Sequence, residues 1–327
     1  AYTITIVPYW SWGAELSSDY EERNRITGFR EGGSMIGNLT VAAAPVMLLV
    51  SNAPIKDVLS LISTLIIVLT LITTIPLIVA IKDPQRISAP SFQYSQIFKT
   101  LMKNRPLQGF LAAMFLNTLS LGVINSVAIF LIDIGLGLPG AFFSLFFIQY
   151  TVAILCVPLL VRLANRLGKH RVLGASYAIT AVYYLVVSIL PMSNYFATAA
   201  LVCVAGMTFA CGYVLSASIL ADVVDYDAVS VGEERTGIYM ALFNLTTKVG
   251  LALGLGLAYG ILEVIGFDPA AAVHTTEDII KIRLTACIPT SMLLVPAAII
   301  MWKFPITKKV QRDLRQKYKS ALIANES

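Results

Sequence analysis

The stretch Thr236–Gly260, TGIYMALFNLTTKVGLALGLGLAYG, holds one charged side chain, Lys248, in an otherwise uncharged run. Asn244 lies four residues earlier, on the same face if the stretch is helical, and Thr247 flanks the lysine. No acidic residue in the stretch can neutralise the ammonium, and a charge at the centre of a bilayer costs about 2.5–3.5 kcal/mol on insertion scales. The lysine could snorkel to an interface or face a water-filled cavity. About twelve apolar residues on either side place it roughly 18 Å from each end of the run, beyond a lysine's reach of about 6 Å. The cavity reading is therefore favoured. Gly250, Gly254, Gly256 and Gly260 follow with small-xxx-small spacing. One side of this helix is expected to pack closely while the Asn244 and Lys248 side faces the cavity.

Two further groups bear chemistry. In AYTITIVPYWSWGAEL, Tyr2, Thr3, Ile6, Tyr9, Trp10 and Gly13 fall near one helical stripe. Aromatic rings on a cavity wall suit a ring-shaped ligand with an apolar face, such as a sugar. An interfacial aromatic belt is the other reading. The belt fits Trp12, and the choice stays open for Tyr2 and Trp10. In LADVVDYDAVSVGEERTG, Asp222 and Asp225 are three apart on one face of a helix end. Solvated loop charges would contribute under about 1 kcal/mol per pair. Alternatively, the two aspartates meet basic loops such as DYEERNR, with Arg23 and Arg25, and close a cytoplasmic gate. Nothing in the chain reads as a nucleophile–base pair, a phosphate loop or a histidine cluster, so an enzyme is not expected. His170 and His274 lie far apart and near no cysteine, and the four cysteines sit inside apolar runs, as packing residues do.

These residues need helices long enough to carry them across a membrane. The chain has 327 residues, 57% hydrophobic and only 13% charged, against about 25% charged in soluble domains. It reads as an all-α polytopic membrane protein. The net charge of +5 does not point to nucleic acid, because the basic residues flank apolar runs. Those runs cover roughly 27–52, 55–81, 107–134, 139–163, 172–190, 195–221, 236–265 and 282–304. The segment before them is too short for a span and reads as the back half of a helix, so an N-terminally truncated fragment is expected. Alternate connections gather Arg23, Arg25 and Arg30, then Lys82 to Arg105, then Arg162 to Arg171, then Arg235 and the tail from Lys303 to Lys319. The others hold Lys56, Lys281 and Arg283. This alternation places the basic side and the C-terminus in the cytoplasm. The domain reading is the remainder of an N-terminal bundle at 1–82, a linker at 83–106, a six-helix bundle at 107–304 and a basic tail at 305–327.

PYWSWGAELSSDYEERNRITGFRE and ADVVDYDAVSVGEERTGIYMALFNLTTKVG resemble two hallmark regions of the glycoside–pentoside–hexuronide:cation symporters. These form the melibiose-permease-like branch of the major facilitator superfamily. The resemblance runs over the whole chain and implies helices IV (partial) to XII of a twelve-helix transporter. It implies sugar-site roles for Tyr2, Trp10, Arg30 and Tyr213, a hydroxyl at the coupling-cation site for Thr3, and for Lys248 a link between the sugar and cation sites; Arg30, near a helix start, also fits an interfacial anchor. Asn244 joins Lys248 as a substrate-side residue. Asp222 and Asp225, with Arg23 or Arg25, match the family's cytoplasmic charge network. A sugar-binding aspartate of the melibiose permease is Ile6 here, which removes a bidentate acceptor for sugar hydroxyls. Arg30 and Lys248 without it suit an anionic substrate such as a hexuronide, or a different sugar. The implied function is symport of a sugar, glycoside or sugar acid with Na⁺ or H⁺, by alternating access, as a monomer in the plasma (inner) membrane. No cofactor beyond the coupling ion is implied. The alternatives are a lipid-type substrate such as a lysophospholipid, and a non-transporting membrane sensor.

Overall fold

The computed structural model describes residues 29, 32–34, 36–41, 43, 55–80, 104–190, 193–231, 236–268, 271, 274–307 and 310. Tyr2, Thr3, Trp10, Arg23, Arg25 and Arg30 lie outside these. The chain divides into two compact units, Ala1–Phe92 and Gln93–Ser327. The first contains helix α1, Ile55–Ala80. Its hydroxyls turn back on their own helix, Ser63 to the Leu59 carbonyl, Thr64 to Ser60 and Thr73 to Leu69. Hydrocarbon demands such internal satisfaction of polar groups.

The second unit is a helical bundle. Its helices are α2 (Arg105–Phe130, continued by a π-helical turn over Leu131–Gly135), α3 (Phe142–Leu167), α4 (Lys169–Ile189), α5 (Tyr195–Val231), α6 (Thr236–Val264) and α7 (Thr276–Trp302). With α1, seven helices among the described residues are long and apolar enough to cross a membrane, and none of the described residues is in a strand. Local chemistry sets the ends. Asn104 caps α2 by accepting from the Leu107 amide at 2.9 Å, and Pro106 stands in the first turn, where its missing N–H costs nothing. Thr275 and Asp278 form a reciprocal capping box at the start of α7. That box starts α7 at Thr276, earlier than the 282 expected from hydropathy. Likewise α5 continues past 221 to Val231, so Asp222 and Asp225 lie within a helix rather than at its end.

Side by side, the helices are ordered α6–α2–α7–α4–α5–α3. Leu107, Phe110 and Met114 of α2 repeat at helical spacing and meet Leu173 and Tyr177 of α4, Ile219 and Val223 of α5, Tyr239 of α6 and Met301 of α7. Toward the other end, Val123, Val127 and Leu131 meet Val187 of α4, Ala258 of α6, and Ile282 and Cys287 of α7. No buried residue of α3 or α5 belongs to this second core. At this end α5 contributes only the partly buried Leu201, and α3 contributes nothing.

A polar staple closes each end. At one, the Lys169 ammonium bridges both Asp222 carboxylate oxygens, at 2.7 and 2.9 Å. At the other, Arg283 donates from Nε to the Gly135 carbonyl at 2.6 Å and from Nη1 to the Leu190 carbonyl at 2.8 Å. The guanidinium thus sits on the carbonyl ends of two helices, where the helix dipole favours a cation. These are called the Lys169 end and the Arg283 end below.

Candidate functional site

Lys248 owes its direction to the opposite side of α6. A Cβ on Gly254 would run into the Leu119 carbonyl and lie 2.8 Å from Gly122 Cα, and one on Gly250 would lie 3.0 Å from the Phe115 carbonyl. In turn, a Cβ on Gly122 would strike the Leu251 carbonyl. Only hydrogen fits at these three positions, so α2 and α6 approach backbone to backbone, in parallel. Phe110 and Phe243 stack across the same seam at 5.8 Å. Lys248 is two residues from Gly250, which turns it to roughly the far side of the helix. It is half-buried and has no hydrogen bond or ion pair with the described residues. The expected small-residue contact is thus made by Gly250 and Gly254 alone. Gly256 and Gly260 face open space, because a helix that packs mainly on one neighbour makes its closest contacts along one stripe of its surface.

Asn244 shares the turn before Lys248, but its amide donates to the Met240 carbonyl of its own helix at 2.9 Å. Its carbonyl group is left to accept, and Thr247 donates to the Asn244 backbone oxygen at 3.0 Å. Tyr213 stands on α5, 37% exposed, its ring 6.1 Å from Phe209. The residues predicted for the site are therefore on separate helices, Asn244 and Lys248 on α6 and Tyr213 on α5. Asp222 takes its ion pair from Lys169, inside its own bundle.

Sequence reading passed over other polar groups. Asn104, besides capping α2, donates to the Tyr239 hydroxyl at 2.8 Å and reaches Asp227 Oδ1 at 3.5 Å. This cluster ties the starts of α2 and α6 to α5, and it leaves Asp227 Oδ2 buried without a partner. Asn117 of α2, and Gln149 and Tyr150 of α3, are half-buried, and their side chains make no hydrogen bond to the described residues. By contrast, most neighbouring hydroxyls bond backward, Thr118 to Met114, Ser126 to Gly122, Ser144 to Ala141 and Thr151 to Phe147, while Ser120 donates to the Thr290 carbonyl of α7. The signal that singled out Lys248, a polar group deep in an apolar run, was also present at Asn117 and Gln149.

An ammonium, two amides and a phenol thus stand at depth in apolar helices without a partner among the described residues, where polar groups commonly face a partner or a water-filled cavity. Comparison with known proteins agrees. Residues 1–308 match the family model described as MFS/sugar transport protein, and the chain belongs to that family. It is therefore of a transporter family and not an enzyme, in line with the resemblance to the cation symporters. It is 26% identical to the uncharacterized symporter YjmB of Bacillus subtilis (strain 168), over 97% of this chain and 70% of the relative. It is 24% identical to the glucuronide carrier protein homolog of Escherichia coli (strain K12), over 99% and 73%. It is also 24% identical to the lactose permease of Lactobacillus delbrueckii subsp. bulgaricus, over 96% of this chain and 52% of that one.

Proposed function

We propose that the protein carries out cation-coupled symport of a sugar acid or glycoside by alternating access, with Lys248 holding the anionic or hydroxylated part of the substrate. The observation that carries this reading is the unpaired ammonium of Lys248, held away from the α2 seam at mid-helix. A glucuronide carrier homolog among the relatives supports an anionic sugar, which would meet Lys248 and, by the resemblance, Arg30. Tyr213 supplies a ring face, and Asn244 an acceptor for a sugar hydroxyl. Thr3 is assigned to the coupling cation, Na⁺ or H⁺. Tyr2 and Trp10 are assigned to the sugar. The Lys169 end, with Arg162, Arg166, Lys169 and Arg171, is assigned to the cytoplasm of a plasma-membrane protein. Asp222 and Asp225, with Arg23 and Arg25, are assigned to closing that side.

Membrane vesicles containing the transporter should accumulate labelled glucuronide or glucuronate when a Na⁺ or H⁺ gradient is imposed, and lose it when that gradient is collapsed. Sugar exchange indifferent to both gradients would refute the coupling. Uptake blocked by lysophospholipid but not by any sugar would refute the substrate class.

A further inference from the structure

Five aromatic rings run without a break along the line where α3 meets α5. Phe142 stacks on Phe146 at 5.6 Å, Phe146 meets Tyr150 at 4.6 Å, Tyr150 meets Phe209 at 5.3 Å, and Phe209 meets Tyr213 at 6.1 Å. The α3 rings recur every fourth residue, so they share a helix face. The contact that aligns them is backbone-close, since a Cβ on Gly206 of α5 would lie 2.6 Å from the Gln149 carbonyl. None of the five rings is fully buried; Phe209 rests on the first core, while the other four rings belong to neither core.

The hydroxyl of Tyr150 decides what this row faces. It has no hydrogen-bond partner among the described residues. Tyr150 stands eight residues into α3 from the Arg283 end, roughly 12 Å deep, which is farther than a phenol about 6.5 Å long can reach back to an interface. Exposed to hydrocarbon at that depth, the hydroxyl would forgo hydrogen bonding. By contrast, Tyr195, at the outer end of α5, finds the Ser144 hydroxyl at 3.2 Å. A ring joined to Tyr213 through Phe209, with its hydroxyl open at depth, belongs on the wall of the solute path.

We infer that Tyr150 is a substrate-contacting specificity residue, and that the run Phe146–Tyr150–Phe209–Tyr213 receives the second ring of a glycoside. This rests on the sugar-symport reading above and narrows its substrate class. Tyr213 is one ring face, enough for one sugar ring. The rings beyond it extend toward the Arg283 end, so they take what is attached to that sugar, an aryl aglycone or a second sugar with its apolar face on the rings. Tyr150 Oη then hydrogen-bonds to the glycosidic or aglycone oxygen. The preferred substrates are accordingly two-ring glycosides rather than free monosaccharides.

The test compares p-nitrophenyl β-D-glucuronide with free glucuronate as competitors and as counterflow substrates, in vesicles carrying wild-type, Tyr150→Phe or Tyr150→Ala transporter. Wild type should bind the aryl glucuronide more tightly than glucuronate. Removing a ring contact of this kind weakens binding about two- to tenfold, so Tyr150→Ala should lose that factor for the aryl glucuronide and under about twofold for glucuronate. Tyr150→Phe, which keeps the ring, should lose less than Tyr150→Ala and confirms that the helix still folds. Equal losses for both probes, or none for either, would overturn the assignment while leaving sugar symport standing. Transport of neither probe, nor of any other sugar, by wild type would remove the reading on which it rests, and the assignment with it.

Discussion

Replacing Lys248 with methionine separates a cavity-facing lysine from a lipid-facing one by sign as well as size. The residue lies about twelve positions from Thr236 and sixteen from Val264, roughly 18 and 24 Å from the helix ends, and the side chain spans about 6 Å. It cannot reach either interface. If it faced hydrocarbon, removing the charge would stabilise the fold by about 2.5–3.5 kcal/mol, worth about 5–14 °C in melting temperature at the scaling of 150–250-residue domains. If it faces a hydrated cavity, water already solvates the ammonium, and the change should stay within about 1 kcal/mol. The expected result for Lys248→Met is a melting temperature within a few degrees of wild type in detergent, with uphill sugar accumulation abolished. Lys248→Arg should restore little accumulation, because a planar guanidinium is larger and keeps its proton. A marked rise in melting temperature together with wild-type accumulation would refute the placement of Lys248 and the role built on it.

Gly254→Val should lower the yield of folded protein, because its Cβ meets the Leu119 and Gly122 backbones, and overpacking costs about 1–3 kcal/mol or more; Gly256→Ala, in open space, should be neutral or stabilising in the same melting assay. Arg283→Met should cost about 2–4 kcal/mol through loss of the charged donors to the Gly135 and Leu190 carbonyls, read as a lower melting temperature, with Arg283→Lys recovering only part because one ammonium cannot span both. Asp222→Lys should expose introduced cysteines on the Lys169 side to a membrane-impermeant thiol reagent and slow transport, and pairing it with Lys169→Asp should reverse the change; unchanged accessibility in the single variant would rule out a gate at Asp222.

Much of the bundle was legible because a bilayer imposes a coarse rule on sequence. Length and apolar content locate helices, and α1, α4 and α6 lie within a few residues of the expected runs. The errors fell where hydropathy stops carrying information. The apolar run was expected to end at 221 with Asp222 and Asp225 at the helix end, because charge ends a hydropathy run, yet α5 continues to Val231 and Asp222 is paired with Lys169, a partner distant in sequence. The capping box at Thr275 begins α7 in polar residues that a hydropathy window passes over. For the site, Lys248 stood out because charge is rare at depth, whereas Tyr150 did not, since tyrosine is common in apolar runs and only its ring neighbours on α5 set it apart. Glycine spacing predicted a close seam but not its length. Which of four glycines meet a neighbour depends on how far two helices stay together, and one helix's sequence does not record that.

The seam also bears on how the protein is made. Gly122 needs Gly254 against it, but that partner leaves the ribosome roughly 130 residues later, about 7–26 s at 5–20 residues per second. Meanwhile α3, α4 and α5 must enter the membrane without settling into the slot on α2 reserved for α6. A groove so shallow that only a glycine-lined helix can fill it offers little purchase to the bulkier helices that arrive first. Gly122, one of the three glycines that aim Lys248, thus holds a place open on α2 until α6 is synthesised.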